Sequence, residues 1–340
     1  MAHIARRIIV TRCADCRADN SVISARSESC GSCRPRAAEA GAARARPVSE
    51  QFLAFVWLGT PGCPAMQSEA QEAGRADSEG RYKSAGPVSV AWRSEMGPRE
   101  QNQDHACCRL GFDGSWLIAV ADGLGGHPRG RAAARRAIRA LPRRIAGPAE
   151  MFSAFEAAHS TVVTLTPSHL RTTMRDIQRC PATTLSVTAW TPASGLVVGI
   201  AGDTRVLALW RDSDGWHGQP VGRLHLSAET HGHLVRYLGA PRRWPPMGQS
   251  DRDPMDIFTD VDISASVDLD AFAILLASDG AWEPIASHCK HPIGDAIASV
   301  LDIKDSGAHS IAARILGSAR SIGLTDNATI AVACITGGAT

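Results

Sequence analysis

From Val88 onward the chain is cut into short apolar runs, each stopped by glycine, aspartate or proline, and this punctuation limits the possible folds more than any other feature. Trp116 to Ala121, Thr184 to Trp190, Leu196 to Ile200, Val206 to Trp210, Ala271 to Ala277 and Thr329 to Ile335 read as strands. Between them, Gly130 to Ile145, Ala149 to Leu165, Ile293 to Leu301 and His309 to Ile322 carry apolar residues at helical spacing with alanine-rich interiors. Strands in runs, with helices grouped in blocks, favour a layered α+β fold over a doubly wound parallel sheet. Leu196 to Ile200 and Val206 to Trp210, separated by AGDTR, read as a hairpin with a Gly-Asp turn.

Residues 1–85 have a different texture, rich in Ala, Arg, Gly, Ser and Pro, and read as an N-terminal extension, largely flexible, ahead of a domain over residues 86–340. Nine arginines against five acids in the first fifty residues make a weak basic patch, for which a solvated tail is the plain explanation. Cys13 and Cys16 form one CxxC pair and Cys30 and Cys33 another, so four thiolates could close a structural Zn²⁺ site; a tail without metal is the other reading. The chain has ten cysteines in 340 residues, too few for a disulfide scaffold, and Cys107, Cys108, Cys180, Cys289 and Cys334 read as buried thiols. A net charge of +2 argues against a general nucleic-acid binder. No apolar run approaches the roughly 20 residues of a membrane span, and no secretory leader is visible, so the reading is a cytoplasmic protein without a membrane partner.

The chemistry concentrates where strands stop. In IAVADGLGGHPRG an apolar run ends in Asp122 and Gly123; ILLASDGAW repeats that grammar at Asp279 and Gly280, and LTDNATIAVAC sets Asp326 and Asn327 before another run. A dinucleotide fingerprint fails because the sixth position counted from Gly123 is Pro128. Carboxylates gathered in one cleft repel unless a cation neutralises them, and hard oxygen donors without matching His or Cys suit Mg²⁺ or Mn²⁺. Any one of these aspartates taken alone is more often a turn residue.

Six motifs in order, REQNQD (Arg99 to Asp104), VADGLGGH (Val120 to His127), ATTL (Ala182 to Leu185), AGDTR (Ala201 to Arg205), ASDGAW (Ala277 to Trp282) and TDNATI (Thr325 to Ile330), resemble those of PP2C-type (PPM) metal-dependent serine/threonine phosphatases, in their bacterial form. The resemblance implies a central β-sandwich of two mostly antiparallel sheets flanked by helices on both faces. It implies two Mn²⁺ or Mg²⁺ ions at one end, hydrolysis of phosphoserine and phosphothreonine by an activated water, and as substrate a phosphoprotein made by a serine/threonine kinase. Asp122 resembles the bridging metal ligand, Gly123 a carbonyl ligand, and Asp279 and Asp326 further ligands. Asp104 resembles a ligand acting through water, and Arg99 the phosphate-binding arginine.

The sequence departs from the family pattern at Leu124, where eukaryotic members often carry His, so the proton donor is unassigned, with His127 one option. Gln103 replaces the usual Glu, and the segment LSAETHGHLVRYLGA is a shortened flap in which Glu229 could replace a carboxylate of a third metal site. These departures motivate the alternative, a catalytically weak or inactive pseudophosphatase that acts as a binding or regulatory module.

Overall fold

A computed structural model describes residues 6–7, 11–12, 78–168, 180–222, 224–226, 234, 236–239, 256–260, 264–265, 270–289 and 291–336. Cys13, Cys16, Cys30, Cys33 and Glu229 lie outside the described residues.

The strands are β1 (Arg6–Arg7), β2 (Thr11–Arg12), β3 (Ser78–Ala85), β4 (Val88–Glu95), β5 (His105–Leu110), β6 (Trp116–Ala121), β7 (Leu185–Thr191), β8 (Gly195–Ala201), β9 (Arg205–Asp212), β10 (Gly215–Val221), β11 (Asp256–Asp260), β12 (Ser264–Ala265), β13 (Ala271–Ala277) and β14 (Ala328–Thr336). The helices are α1 (Gly130–Ala140), α2 (Pro148–Val163), α3 (Asp279–His288), α4 (Ile293–Ala298) and α5 (Ala308–Ile322). One sheet runs β10-β9-β13-β14-β4-β3 and the other β2-β11-β8-β7-β6-β5, every pair antiparallel; β1 and β12 make a separate two-stranded ladder.

Alternation along the strands builds four layers, because successive side chains leave a strand on opposite faces. On β6, Ile118 and Val120 enter the core between the sheets, while Leu117, Ala119 and Ala121 pack on Ala133, Ala137, Met151 and Phe155 of α1 and α2. On β13, Phe272, Ile274 and Leu276 face inward, while Ala273, Leu275 and Ala277 meet Ile285, Ile311 and Ile315 of α3 and α5. These strands are buried on both faces, hence their near-continuous apolar character. The result is the expected sandwich with helices outside both sheets.

Two expectations, a hairpin at AGDTR and a helix running to Ile145, need correction. Strands β8 and β9 do not pair as a hairpin; they belong to different sheets, and AGDTR carries the chain across the sandwich. Strand β3, Ser78 to Ala85, pairs with β4 along its length. Helix α1 stops at Ala140 rather than Ile145, because Pro142 disfavours helical backbone at Leu141. Asp279 opens helix α3, in which burial of Ala281 and Ile285 outweighs the backbone donor lost at the internal Pro284. Of the described cysteines, all free, Cys108, Cys180 and Cys334 are buried and Cys107 and Cys289 half-buried. No helix of the described residues is long and apolar enough to cross a membrane.

Candidate metal centre

Asp122 leaves the end of β6 with its backbone clamped from β7's approach. Its N–H donates to Thr184 Oγ1 at 3.0 Å, and its carbonyl accepts from Thr183 Oγ1 at 2.7 Å and Thr184 N at 2.8 Å. Thr184 Oγ1 also lies 2.8 Å from Thr204 Oγ1, so the ATTL and AGDTR motifs meet behind this aspartate. Gly123 is required by close approach, since a Cβ there would come within 2.4 Å of the Gly130 carbonyl carbon and 2.8 Å of Gln103 O.

Asp104 precedes β5 and is 6% exposed. Its Oδ2 accepts from Ser278 Oγ at 2.8 Å, while its Oδ1 is buried with no hydrogen-bond partner among the described residues. Ser278 Oγ in turn accepts from Thr329 N at 2.9 Å, tying the stops of β13 and β14 together. Asp279 follows as the first residue of α3, its Oδ1 accepting from Gly280 N at 2.6 Å. Asn327 anchors the neighbouring loop, accepting from Gln103 N at 2.8 Å and donating to Met96 O at 2.6 Å. Asp326 sits just before it and pairs with Arg99 at 2.5 Å between Nη2 and Oδ2.

The electrostatics are those of crowded anions. Burial pushes the Asp104 carboxyl up to about 7, with the charge of Asp279 adding to the rise. Asp122 is held well above the usual carboxylate range by burial and by the charges of Asp104, Asp279 and Asp203. Asp279 is raised by burial and then by Asp326. Asp203, in the crossing loop AGDTR, is pushed up to about 6 by burial and by Asp279 and Glu283, and Glu283 itself is raised by burial, Asp279 and Asp326.

The structure therefore brings Asp104, Asp122, Gly123, Asp279, Asp326 and Arg99 to one end of the sandwich. Asp203 and Glu283 join them; the sequence reading had Asp203 inside a hairpin turn, and its Gly-Asp step at a strand end was the signal that could have found it. His127 lies on the glycine-rich loop that follows Asp122. Its Nδ1 donates to Cys180 O at 2.8 Å and its ring packs edge-on against Tyr237, which anchors the glycine-rich loop.

Among the described residues no three His, Cys, Asp or Glu side chains already stand as a closed ligand group. The donor chemistry nevertheless fits hard divalent cations, because it offers carboxylate and carbonyl oxygens, mutual repulsion that positive charge would relieve, and a buried Asp104 Oδ1 with no partner.

Neither a family model nor a curated protein matches the sequence. Solved structures do. The PPM serine/threonine phosphatase MsPP from Mycobacterium smegmatis, in complex with cacodylate, is 22% identical; the match covers 72% of this chain and 97% of MsPP at a TM-score of 0.50. The serine/threonine phosphatase PstP/Ppp of Mycobacterium tuberculosis is 20% identical over 73% of this chain and 99% of its own, with a TM-score of 0.52. The catalytic domain of PstP in complex with two manganese ions matches at 20% identity over 73% of this chain and 98% of that domain, TM-score 0.50. The chain thus has the fold of the bacterial PPM-type serine/threonine phosphatases.

Proposed function

We propose that the chain is a metal-dependent protein phosphatase that hydrolyses phosphoserine and phosphothreonine in substrates made by a serine/threonine kinase. The observation that carries this reading is the convergence of mutually repelling carboxylates, buried Asp104 with half-buried Asp122, Asp279 and Asp203, beside Arg99 at the end of the sandwich. PstP, which shares the fold, takes two manganese ions.

Asp104, Asp122, Asp279 and Asp326, with the Gly123 carbonyl, would hold two Mn²⁺ or Mg²⁺ ions. When bound, such ions supply an acidified water as nucleophile and positive charge for the phosphoryl oxygens. Ser278 fixes the rotamer of Asp104, and the Thr183–Thr184 clamp fixes the backbone of Asp122, so the carboxylates need little reorganisation. Arg99 is half-exposed and reaches the cleft from the loop before Asp104, where its planar fork suits two oxygens of a phosphoryl group. Its carboxylate partner is Asp326.

The test is hydrolysis of a phosphothreonine peptide by the full chain, with and without Mn²⁺, beside Asp122→Asn and Asp279→Asn. Mn²⁺-dependent turnover lost in both variants supports the proposal. Folded protein that binds Mn²⁺ but turns over nothing favours the pseudophosphatase reading, for which Gln103 and the shortened flap are the motivating observations.

A further inference from the structure

Helix α1 follows directly on the loop that carries Asp122 and Gly123, and its outer surface is cationic without relief. Seven arginines, Arg129, Arg131, Arg135, Arg136, Arg139, Arg143 and Arg144, fall within sixteen residues, all are exposed, and no acidic residue interrupts them. Arg131, Arg135 and Arg139 recur every four residues and so share one ridge, opposite the buried Ala133, Ala134, Ala137 and Ile138. Arg144 pairs with Asp113 at 3.3 Å and Arg129 donates to Leu165 O at 3.3 Å. Among the described residues the other five are engaged in no hydrogen bond or ion pair.

This ridge leads into the metal centre. A cavity of about 130 Å³ is lined by Arg131 and Arg135 together with Trp92, Ser94, Asn102, His105 and the ligand candidate Asp104. An anionic side chain seated on Arg131 and Arg135 would therefore sit beside the wall that holds Asp104. A chain-wide charge of only +2 makes this cationic ridge a local feature, which suits a short acidic segment better than a long polyanion.

We propose that the α1 ridge of Arg131, Arg135 and Arg139 is a docking surface for an acidic stretch flanking the phosphorylated residue of the substrate. The proposal rests on the phosphatase reading and sets which phosphoproteins the site accepts. Exposed arginine–carboxylate pairs are individually weak, so three together multiply to a preference of roughly tenfold at low salt. That preference declines as ionic strength rises, because the pairs are screened.

The experiment compares two phosphothreonine peptides, one with a flanking run of Glu and one with Gln in the same places, on the full chain and on R131Q/R135Q/R139Q. Two quantities are read: the ratio of kcat/KM for the two peptides, and their binding by fluorescence anisotropy. The proposal expects an acidic-to-neutral ratio of about ten at low salt that falls to near one in the triple variant, with the binding preference lost in parallel. A ratio near one in the parent, or an undiminished ratio in the variant, overturns it. Tighter binding of a single-stranded oligonucleotide of matched charge than of the acidic peptide also overturns it and reassigns the ridge to nucleic acid. Should neither peptide be turned over, the phosphatase reading fails on its own, and a binding preference that disappears in the triple variant still upholds the docking surface.

Discussion

Replacing Asp104 by Asn should stabilise the metal-free protein and weaken its response to Mn²⁺. In the unfolded chain this carboxyl titrates at its ordinary 3.8, whereas burial raises it to about 7 in the native state. The native state therefore binds the proton more tightly, so the associated stability is complete below about pH 4 and is lost as pH rises through about 7. At ~1.4 kcal/mol per pH unit, a rise from 3.8 to about 7 leaves the ionised native protein ~4 kcal/mol worse off at pH 8. Asn carries no charge, and its amide oxygen can keep the hydrogen bond donated by Ser278 Oγ. For a domain of this size 1 kcal/mol moves Tm by about 2–4 °C, which puts the gain at pH 8 in EDTA near ~8–16 °C, with little difference at pH 4. Cations should close most of that gap, since a ligand at a hundred times its Kd stabilises the parent by ~2.7 kcal/mol through a site the variant lacks in part. Thermal melts at pH 4 and 8, each in EDTA and in Mn²⁺, check all four corners. An Asn variant less stable than the parent at pH 8 in EDTA, or one that gains as much from Mn²⁺, would refute the reasoning.

Arg99→Ala should reduce kcat/KM for a phosphopeptide by about 10²-fold or more, as expected for a lost donor to the phosphoryl group; its exposed pair with Asp326 contributes at most ~1 kcal/mol, so Tm should hardly move. Gly280→Ala should lower stability by about 1–3 kcal/mol, because a Cβ there would meet Asn327 O at 2.2 Å, and urea unfolding at pH 7 reads the loss. His159 is depressed to about 4 by burial, and its Nδ1 accepts from Gly239 N. Below about pH 6.5 the unfolded histidine takes up a proton that the native one refuses, so this contribution is lost between about pH 6.5 and 4, by at most ~3 kcal/mol. The difference in stability between His159→Gln and the parent should change by that amount across this window; a difference independent of pH would contradict the assignment.

Much of the fold was legible because burial on both strand faces writes itself as short uninterrupted apolar runs, and because turn residues mark their ends. The runs at Trp116, Ala271 and Thr329 became β6, β13 and β14 with nearly the expected limits. Strands with mixed polarity escaped that rule: β10, GWHGQPV, faces solvent on part of its length and has no apolar run to announce it. The shape of the crossing at AGDTR was illegible for a different reason. Two short strands joined by a Gly-Asp step look the same whether they pair with each other or part into separate sheets, and the choice is made by the other partners each one takes, β7 and β11 for one and β10 and β13 for the other.

The sequence by itself determined the chemistry on offer. Aspartates at the ends of apolar strands, glycines beside them and an arginine just upstream are local facts of spacing, and their order along the chain carries the resemblance to PPM-type phosphatases. Tertiary structure alone decided which of those groups meet. Contacts between residues hundreds of positions apart join Ser278 to Asp104, Gln103 to Asn327 and Arg99 to Asp326. The same packing draws Asp203 and Glu283 into the field of Asp279. A carboxylate's charge is written in its residue type, but its repulsion depends on distance and on exclusion from water, and both exist only once the two sheets have closed on each other.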